Sequence, residues 1–162
     1  MSYILNKTDG TLLVTLVDGS IDTVHIGNDQ VTAGKLGIGF TDNNVKVGNT
    51  ALDALTTGTN NTAVGDDALT TNTSASANTA LGVQALQSNT TGERGVAVGA
   101  YALQSNTTGT NNTAVGANSL AAVTTGASNT AVGRNALKLS SASNCTAVGY
   151  DALTANTTGT QN

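Results

Sequence analysis

The sequence predicts an all-β protein, in which an N-terminal β-hairpin segment precedes a parallel β-solenoid (β-roll) of 16–17-residue repeats. Two observations predict this fold. The first is a string such as Asn61-Thr-Ala-Val-Gly65, which recurs with its glycine at Gly48, Gly65, Gly82, Gly99, Gly116, Gly133 and Gly149, five times at intervals of 17 residues and once of 16. The second is a leucine four residues after each of these glycines. A repeat this short is typical of stacked coils rather than of a globule with a pocket.

The composition excludes several classes of protein. Aromatic residues make up 2% and charged residues 10% of the 162 residues, and proline is missing. A core of large side chains is therefore not expected, and the charge and proline typical of disordered chains are not there either. The net charge of −4 is dispersed, so we expect no nucleic-acid partner. No apolar run is long enough to predict membrane insertion, and no secretory signal is apparent.

The residues of each unit separate into columns. Before the glycine, β-branched residues alternate with alanine, which predicts a short strand with valine on one face and alanine on the other. Because the alanine face is uniformly small, we expect another chain to cover it closely. We expect the valine and leucine ladders to face the roll interior or an axis between chains, and the two variable residues after each glycine to face water.

The second half of the unit is polar and ends in a Thr-Thr-Gly corner in five copies. Two glycines per unit predict two corners with unusual backbone angles. We expect two short strands per turn, with identical residues stacked about 4.8 Å apart. Such thin coils bury little apolar surface for the residues they order, so we expect the chain to form an oligomer.

The chain divides into two parts. We expect residues 1–43 to form a separate N-terminal segment, in which Lys7-Thr-Asp-Gly10 and Asp18-Gly19 predict tight turns. Within it, Val24–Gly27 and Leu36–Gly39 look like short coils leading into the roll. Residues 44–162 form the β-roll shaft of seven units, the last one incomplete.

Nothing in the sequence predicts a catalytic, cofactor-binding or metal-binding site, so we expect a protein that is not an enzyme. His25 lies in a strand-like alternation, and Cys145 stands where other units have asparagine. The carboxylates Asp66, Asp67 and Asp151 lack a calcium-binding spacing. Glu93–Arg94 is predicted to be a surface ion pair, and Gly37-Ile-Gly39 has no following helix for a phosphate loop. The weak candidates for ligand binding are two aromatic residues at exposed positions: Tyr101 and Tyr150.

The string Asn-Thr-Ala-Val-Gly-x-x-Ala-Leu resembles the head repeats of trimeric autotransporter adhesins and the repeats of bacteriophage tail fibres and other virion fibre proteins. The resemblance covers about residues 44–162 and implies an intertwined homotrimer. The unit is longer than the adhesin repeat of about fourteen residues, which affects the expected loops and not the stacking. The opening residues resemble the N-terminal segment of virion fibre proteins, which docks onto a tail or baseplate.

This resemblance implies a structural virion protein: a phage tail fibre, anchored to a tail or baseplate protein through residues 1–43, that projects a rigid shaft for host attachment. The alternative is the head or stalk of a trimeric adhesin at a bacterial cell surface, which neighbouring genes for a membrane anchor would indicate. A third alternative is an ice-binding β-solenoid, based on the threonines at 62, 79, 113, 130 and 146, although Val45 and Val96 interrupt that column. We also expect Asn162 to precede further repeats and a distal receptor-binding part.

Overall fold

The computed structural model describes residues 3–8, 11–16, 38–41 and 43–162, and describes side chains in 43–162. Ten strands and no helix occur in these ranges. The strands are β1 (Tyr3–Thr8), β2 (Thr11–Leu16), β3 (Ile38–Thr41), β4 (Asn44–Val47), β5 (Thr62–Val64), β6 (Thr79–Leu81), β7 (Val96–Val98), β8 (Thr113–Val115), β9 (Thr130–Val132) and β10 (Thr146–Val148).

The seven strands β4–β10 form one parallel sheet in chain order, and each strand begins a coil of the solenoid. We number the coils 1 to 7 by the glycine that follows each strand, from Gly48 to Gly149. Equivalent residues stand on one another, as in the pair Ala114↔Ala131. The predicted β-solenoid and its register, with identical columns stacked, are therefore confirmed.

Each coil contains one strand, whereas the sequence predicted two. The polar half of the coil consists of turns and bends. Hydrogen bonds between neighbouring coils nevertheless stack this half as they stack the strands. For example, the Thr90 N–H donates to the Thr107 carbonyl at 3.0 Å. This half lacks the alternation of β-branched and small residues that favours an extended strand, and its backbone bends instead, for example at Thr107 and Thr108 of coil 4.

The interior of each coil is formed by alanine from the strand and by the leucine that follows it. Ala63 and Leu69 of coil 2 are both fully buried, as are their equivalents in coils 3 and 4. The prediction that another chain covers the alanine face is therefore wrong, because the coil's own leucine packs against it. The prediction that leucine faces the interior is confirmed. The valine before the glycine points outward instead, and Val115 is 37% exposed.

After the strand, the backbone makes a turn that requires unusual angles at several residues. Gly65 has a φ of 134°, and Asp67 and Leu69 follow with φ values of 57° and 52°. The Ala68 N–H closes the turn by donating to the Gly65 carbonyl at 3.3 Å. A positive φ at the third residue of a four-residue turn is typical of type II turns. Leucine in the left-handed region was not predicted, since this conformation costs a non-glycine residue about 1–2 kcal/mol.

The second glycine column differs from the prediction. Its glycines, such as Gly92 and Gly109, do not have positive φ. They occupy a close approach between coils, where a Cβ on Gly109 would collide with the Gly126 carbonyl oxygen. Alanine nevertheless stands in this column at Ala75 and Ala142, so small shifts of the backbone admit a methyl group.

Two antiparallel pairs precede the parallel sheet. Strands β1 and β2 pair from Tyr3↔Leu16 to Thr8↔Thr11. The predicted turn residues Asp9 and Gly10 lie outside the described residues, as do Asp18-Gly19 and Val24–Gly27, so the hairpin stays a prediction. Strand β3 pairs antiparallel with β4 rather than continuing the roll as a short parallel coil. Only two residues separate these strands, and Asn43, with a φ of 62°, suits a tight reversal.

Candidate functional site

The outer side of the parallel sheet is an uncharged surface, which we call the strand face. It carries two outward columns, one mostly threonine and one of valine or leucine. Every residue of both columns is exposed or half-buried in the single chain. Leu81 is 47% exposed and Val148 is 71% exposed. The strand face consists of Val45, Val47, Thr62, Val64, Thr79, Leu81, Val96, Val98, Thr113, Val115, Thr130, Val132, Thr146 and Val148.

A second surface, the turn face, lies where the chain leaves each strand. It consists of three columns: the two residues after each strand glycine, and the fifth residue after it. Side-chain hydrogen bonds join these columns between neighbouring coils. Asp67 Oδ2 accepts from Gln84 Nε2 and from Gln87 Nε2, both at 3.3 Å. Gln104 Nε2 donates to Gln84 Oε1 at 2.8 Å. The prediction that the residues after the glycine are not packed inside agrees with their exposed or half-buried positions.

Charge on the turn face is segregated along the stack. Coil 2 carries the adjacent carboxylates of Asp66 and Asp67, and coil 6 carries Arg134 and Lys138. Between them, coils 3 to 5 contribute no charged residue to the three columns of this face. At the ends, Lys46 Nζ and Asp53 Oδ1 form an ion pair at 3.3 Å in coil 1, and Asp151 lies in coil 7.

The two candidate ligand-binding tyrosines lie on the turn face but are not brought together. Tyr101 is 40% exposed in coil 4, and Tyr150 is 68% exposed in coil 7. Three strand spacings separate their coils, which is about 14 Å. Arg134 Nη1 donates to the Tyr150 hydroxyl at 3.0 Å, and the guanidinium lies 5.6 Å from the centre of its ring. A single pocket formed by both tyrosines is therefore excluded.

Buried asparagines are a feature that the sequence reasoning missed. One column of buried asparagines precedes the strands. In this column, the Asn61 N–H donates to Asn44 Oδ1 at 2.7 Å, and Asn61 Nδ2 donates to the Ala75 carbonyl at 2.9 Å. We call it the strand Asn ladder. A second column, the corner Asn ladder, contains the fully buried Asn72 and Asn89. The recurrence of asparagine at the 17-residue interval could have indicated both ladders.

Of the remaining residues considered in the sequence, those within residues 43–162 are not gathered into one cluster. Glu93 Oε2 and Arg94 Nη2 lie 3.9 Å apart in an exposed ion pair. No group of three or more His, Cys, Asp or Glu side chains that could hold a metal ion occurs in the part of the chain that the structure describes. Cys145 is buried in the strand Asn ladder. His25 and Gly37 lie outside the described residues.

Among the described residues, no helix is long and apolar enough to cross a lipid bilayer. The comparisons with known proteins give no family: no protein-family model, no curated protein and no solved structure matches this chain. The resemblance to fibre and adhesin repeats therefore stays a prediction from the residues. What the structure itself supplies is a rod with two distinct long surfaces, the strand face and the turn face.

Proposed function

We propose that this chain is a non-enzymatic structural protein that assembles as a homotrimeric virion fibre. Residues 1–43 attach it to a tail or baseplate protein, and the solenoid projects as a stiff shaft that serves host attachment. The observation that supports this proposal best is the strand face, which exposes a continuous apolar ladder over seven coils in the single chain. Exposed apolar stripes of this kind are typical of protein interfaces.

The strand face suits contact between copies of the chain because it carries no charge and is regular along its length. Outside the strand face, exposed apolar side chains such as Val83 and Leu139 do not form a continuous ladder, and the leucine and alanine columns are occupied within each coil. The oligomer expected from the sequence is therefore assigned to the valine and threonine columns instead of the alanine column. Three chains that turn their strand faces to a common axis bury all three ladders.

The mass of the assembled protein tests this proposal. Sedimentation velocity of the full chain is expected to give three times the 16.0 kDa of one chain. The substitution Val115→Asp places a carboxylate on the strand face and should reduce the trimer to single chains, because a buried unpaired charge costs several kcal/mol. Asn118→Asp in the same coil lies on the turn face and should leave the mass unchanged. A stable monomeric wild-type chain would overturn the proposal.

The location of the protein tests the role in the virion. An antibody against residues 44–162 should label projecting appendages of purified tailed particles under the electron microscope. Labelling of bacterial surfaces without labelling of particles would favour the adhesin alternative. Ice binding uses the same strand face, whose threonine column points outward but is interrupted by Val45 and Val96. Faceted ice crystals in the presence of the wild-type chain, with no trimer, would favour that alternative.

A further inference from the structure

We infer that the turn face is a second self-association surface, on which two copies of the chain dock side by side in antiparallel orientation. This contact does not use the strand face, so it goes beyond the proposed trimer and can coexist with it. Three observations on the turn face carry the inference: the acidic coil 2, the basic coil 6, and an exposed aromatic residue midway between them.

The charges favour one orientation. Coil 4 lies halfway between coil 2 and coil 6, each about 10 Å away. When two chains meet antiparallel with coil 4 opposite coil 4, Asp66 and Asp67 of each chain oppose Arg134 and Lys138 of the other. Because the two chains are related by a two-fold axis, this acid–base contact occurs twice in each pair. A parallel pair in register instead places Asp66 against Asp66 and Arg134 against Arg134, and like charges repel.

The middle of the turn face suits a contact between copies. Coil 4 presents Tyr101, which is 40% exposed, and coil 3 presents Val83, which is 45% exposed. In the antiparallel pair, the Tyr101 rings of the two chains meet at the two-fold axis, and Val83 opposes the small Ala117 of coil 5. Tyrosine at the centre of a contact surrounded by polar groups is a common arrangement in protein interfaces.

The charged residues at the two ends of the turn face contribute little to the preference for one orientation over the other. In coil 1, Asp53 is already paired with Lys46. Asp151 of coil 7, which opposes coil 1 in the antiparallel pair, accepts a hydrogen bond from Asn135 Nδ2 at 2.7 Å. The charges that decide the orientation are therefore those of coils 2 and 6.

The contact is small, and its size determines how it should be detected. A strip seven coils long covers about 29 Å and is only three columns wide, so we expect a weak, transient association. Because the charge pairs are exposed, salt weakens them. The strand-face contact is apolar and is not weakened by salt. Salt therefore separates the two kinds of assembly.

Sedimentation velocity of the full chain at low salt should show at least twice the mass found at about 0.5 M NaCl, because a trimer carries three turn faces, one on each chain. Asp66→Arg and Arg134→Asp each turn two attractive contacts per pair into repulsive ones. Each should therefore raise the dissociation constant of the turn-face contact about tenfold or more. The changes suit the fold, because the same column already holds both an aspartate and an arginine. An equimolar mixture of the two variants should double again, since their reversed charges are complementary. Wild-type mass independent of salt, or doubling by each variant alone, would overturn the inference.

A cross-linking experiment tests the position of the two-fold axis. In a Cys145→Asn background, Tyr101→Cys should form an intermolecular disulfide under mild oxidation, because the two positions meet at the axis. Asn118→Cys is the matched control. It lies in the same column with a φ of 58°, but its two copies are about 10 Å apart in the antiparallel pair, beyond the reach of a disulfide. Equal cross-linking of both variants would contradict the geometry.

These tests also separate the inference from the proposed function. Trimers that do not double at low salt would refute the turn-face contact alone. Single chains at high salt that pair at low salt would refute the trimer and support the turn-face contact.

Discussion

Cys145 takes the place of an asparagine next to Asn129. Its backbone N–H donates to Asn129 Oδ1 at 3.0 Å, and its thiol donates to the Gly159 carbonyl at 3.1 Å. These are the two bonds that Asn61 makes in coil 2 through its backbone N–H and its side-chain amide. The column assigned to Cys145 from the sequence is therefore correct, and the cysteine acts as a weak donor in the strand Asn ladder.

We expect Cys145→Asn to stabilise the protein by about 0.5–1 kcal/mol, because an amide N–H is a better donor to the Gly159 carbonyl than a thiol. Cys145→Ala removes the donor and should lower the free energy of unfolding by about 1 kcal/mol. Urea denaturation followed by circular dichroism measures both changes. A variant Cys145→Asn that is less stable than Cys145→Ala would contradict the role given to this ladder.

Val123 interrupts the corner Asn ladder. Asn106 Nδ2 donates to Asn89 Oδ1 at 2.9 Å, but the buried Asn106 Oδ1 has no hydrogen-bond partner among the described residues. An asparagine at position 123 can donate to it and to the Gly126 carbonyl. We expect Val123→Asn to stay within about 1 kcal/mol of the wild-type free energy of unfolding, since new hydrogen bonds offset the lost apolar burial.

The matched control for this change is Leu120→Asn, also at a fully buried position but in the apolar interior. The apolar interior offers the new amide no hydrogen-bond ladder, so we expect Leu120→Asn to lower the free energy of unfolding by about 4 kcal/mol or more. Thermal melts of the two variants make the comparison. Similar losses of thermal stability in both variants would show that the corner Asn ladder does not accept an asparagine at position 123.

Leu103 combines full burial with a φ of 52°. Leu103→Met retains an unbranched Cβ and similar volume, and should cost less than about 1.5 kcal/mol. Leu103→Ile retains the volume but places a branched Cβ in the left-handed region, where β-branched residues are outliers. We expect it to cost about 1–2 kcal/mol more than the methionine variant. Equal unfolding midpoints in guanidinium would argue against the observed backbone angle.

The two glycine columns should differ in their tolerance of alanine. Gly99 has a φ of 129°, and an added Cβ would lie 2.7 Å from the Gly116 carbonyl carbon. We expect Gly99→Ala to cost about 3 kcal/mol or more. Gly109→Ala should cost less, because Ala75 and Ala142 occupy its column in other coils. Differential scanning calorimetry gives the two midpoints, and a larger loss for Gly109→Ala would reverse the assignment of the two columns.

The sequence by itself determined the length of the coil, the register and the kinds of residue in each column. These follow from the 17-residue interval, since in-register parallel stacking places each residue on its equivalent, as Thr62 on Thr79. The same columns placed Cys145 among the asparagines and the residues after each glycine outside the core. The candidate tyrosines could be placed in neighbouring columns, but the chemistry of a ligand could not be read from them.

Only the tertiary structure decided which side of the strand lies inside. Alternation of Ala114 with Thr113 and Val115 defines two faces, and hydrophobicity alone favours valine for the interior. Leu120 returns from the turn into the same thin coil and fills its centre, which leaves room for only a methyl group from the strand. Valine must therefore point outward, and the apolar surface offered to partners is the strand face. A sequence pattern records the period of a coil, whereas its inner volume is set by residues that meet only after the chain has turned.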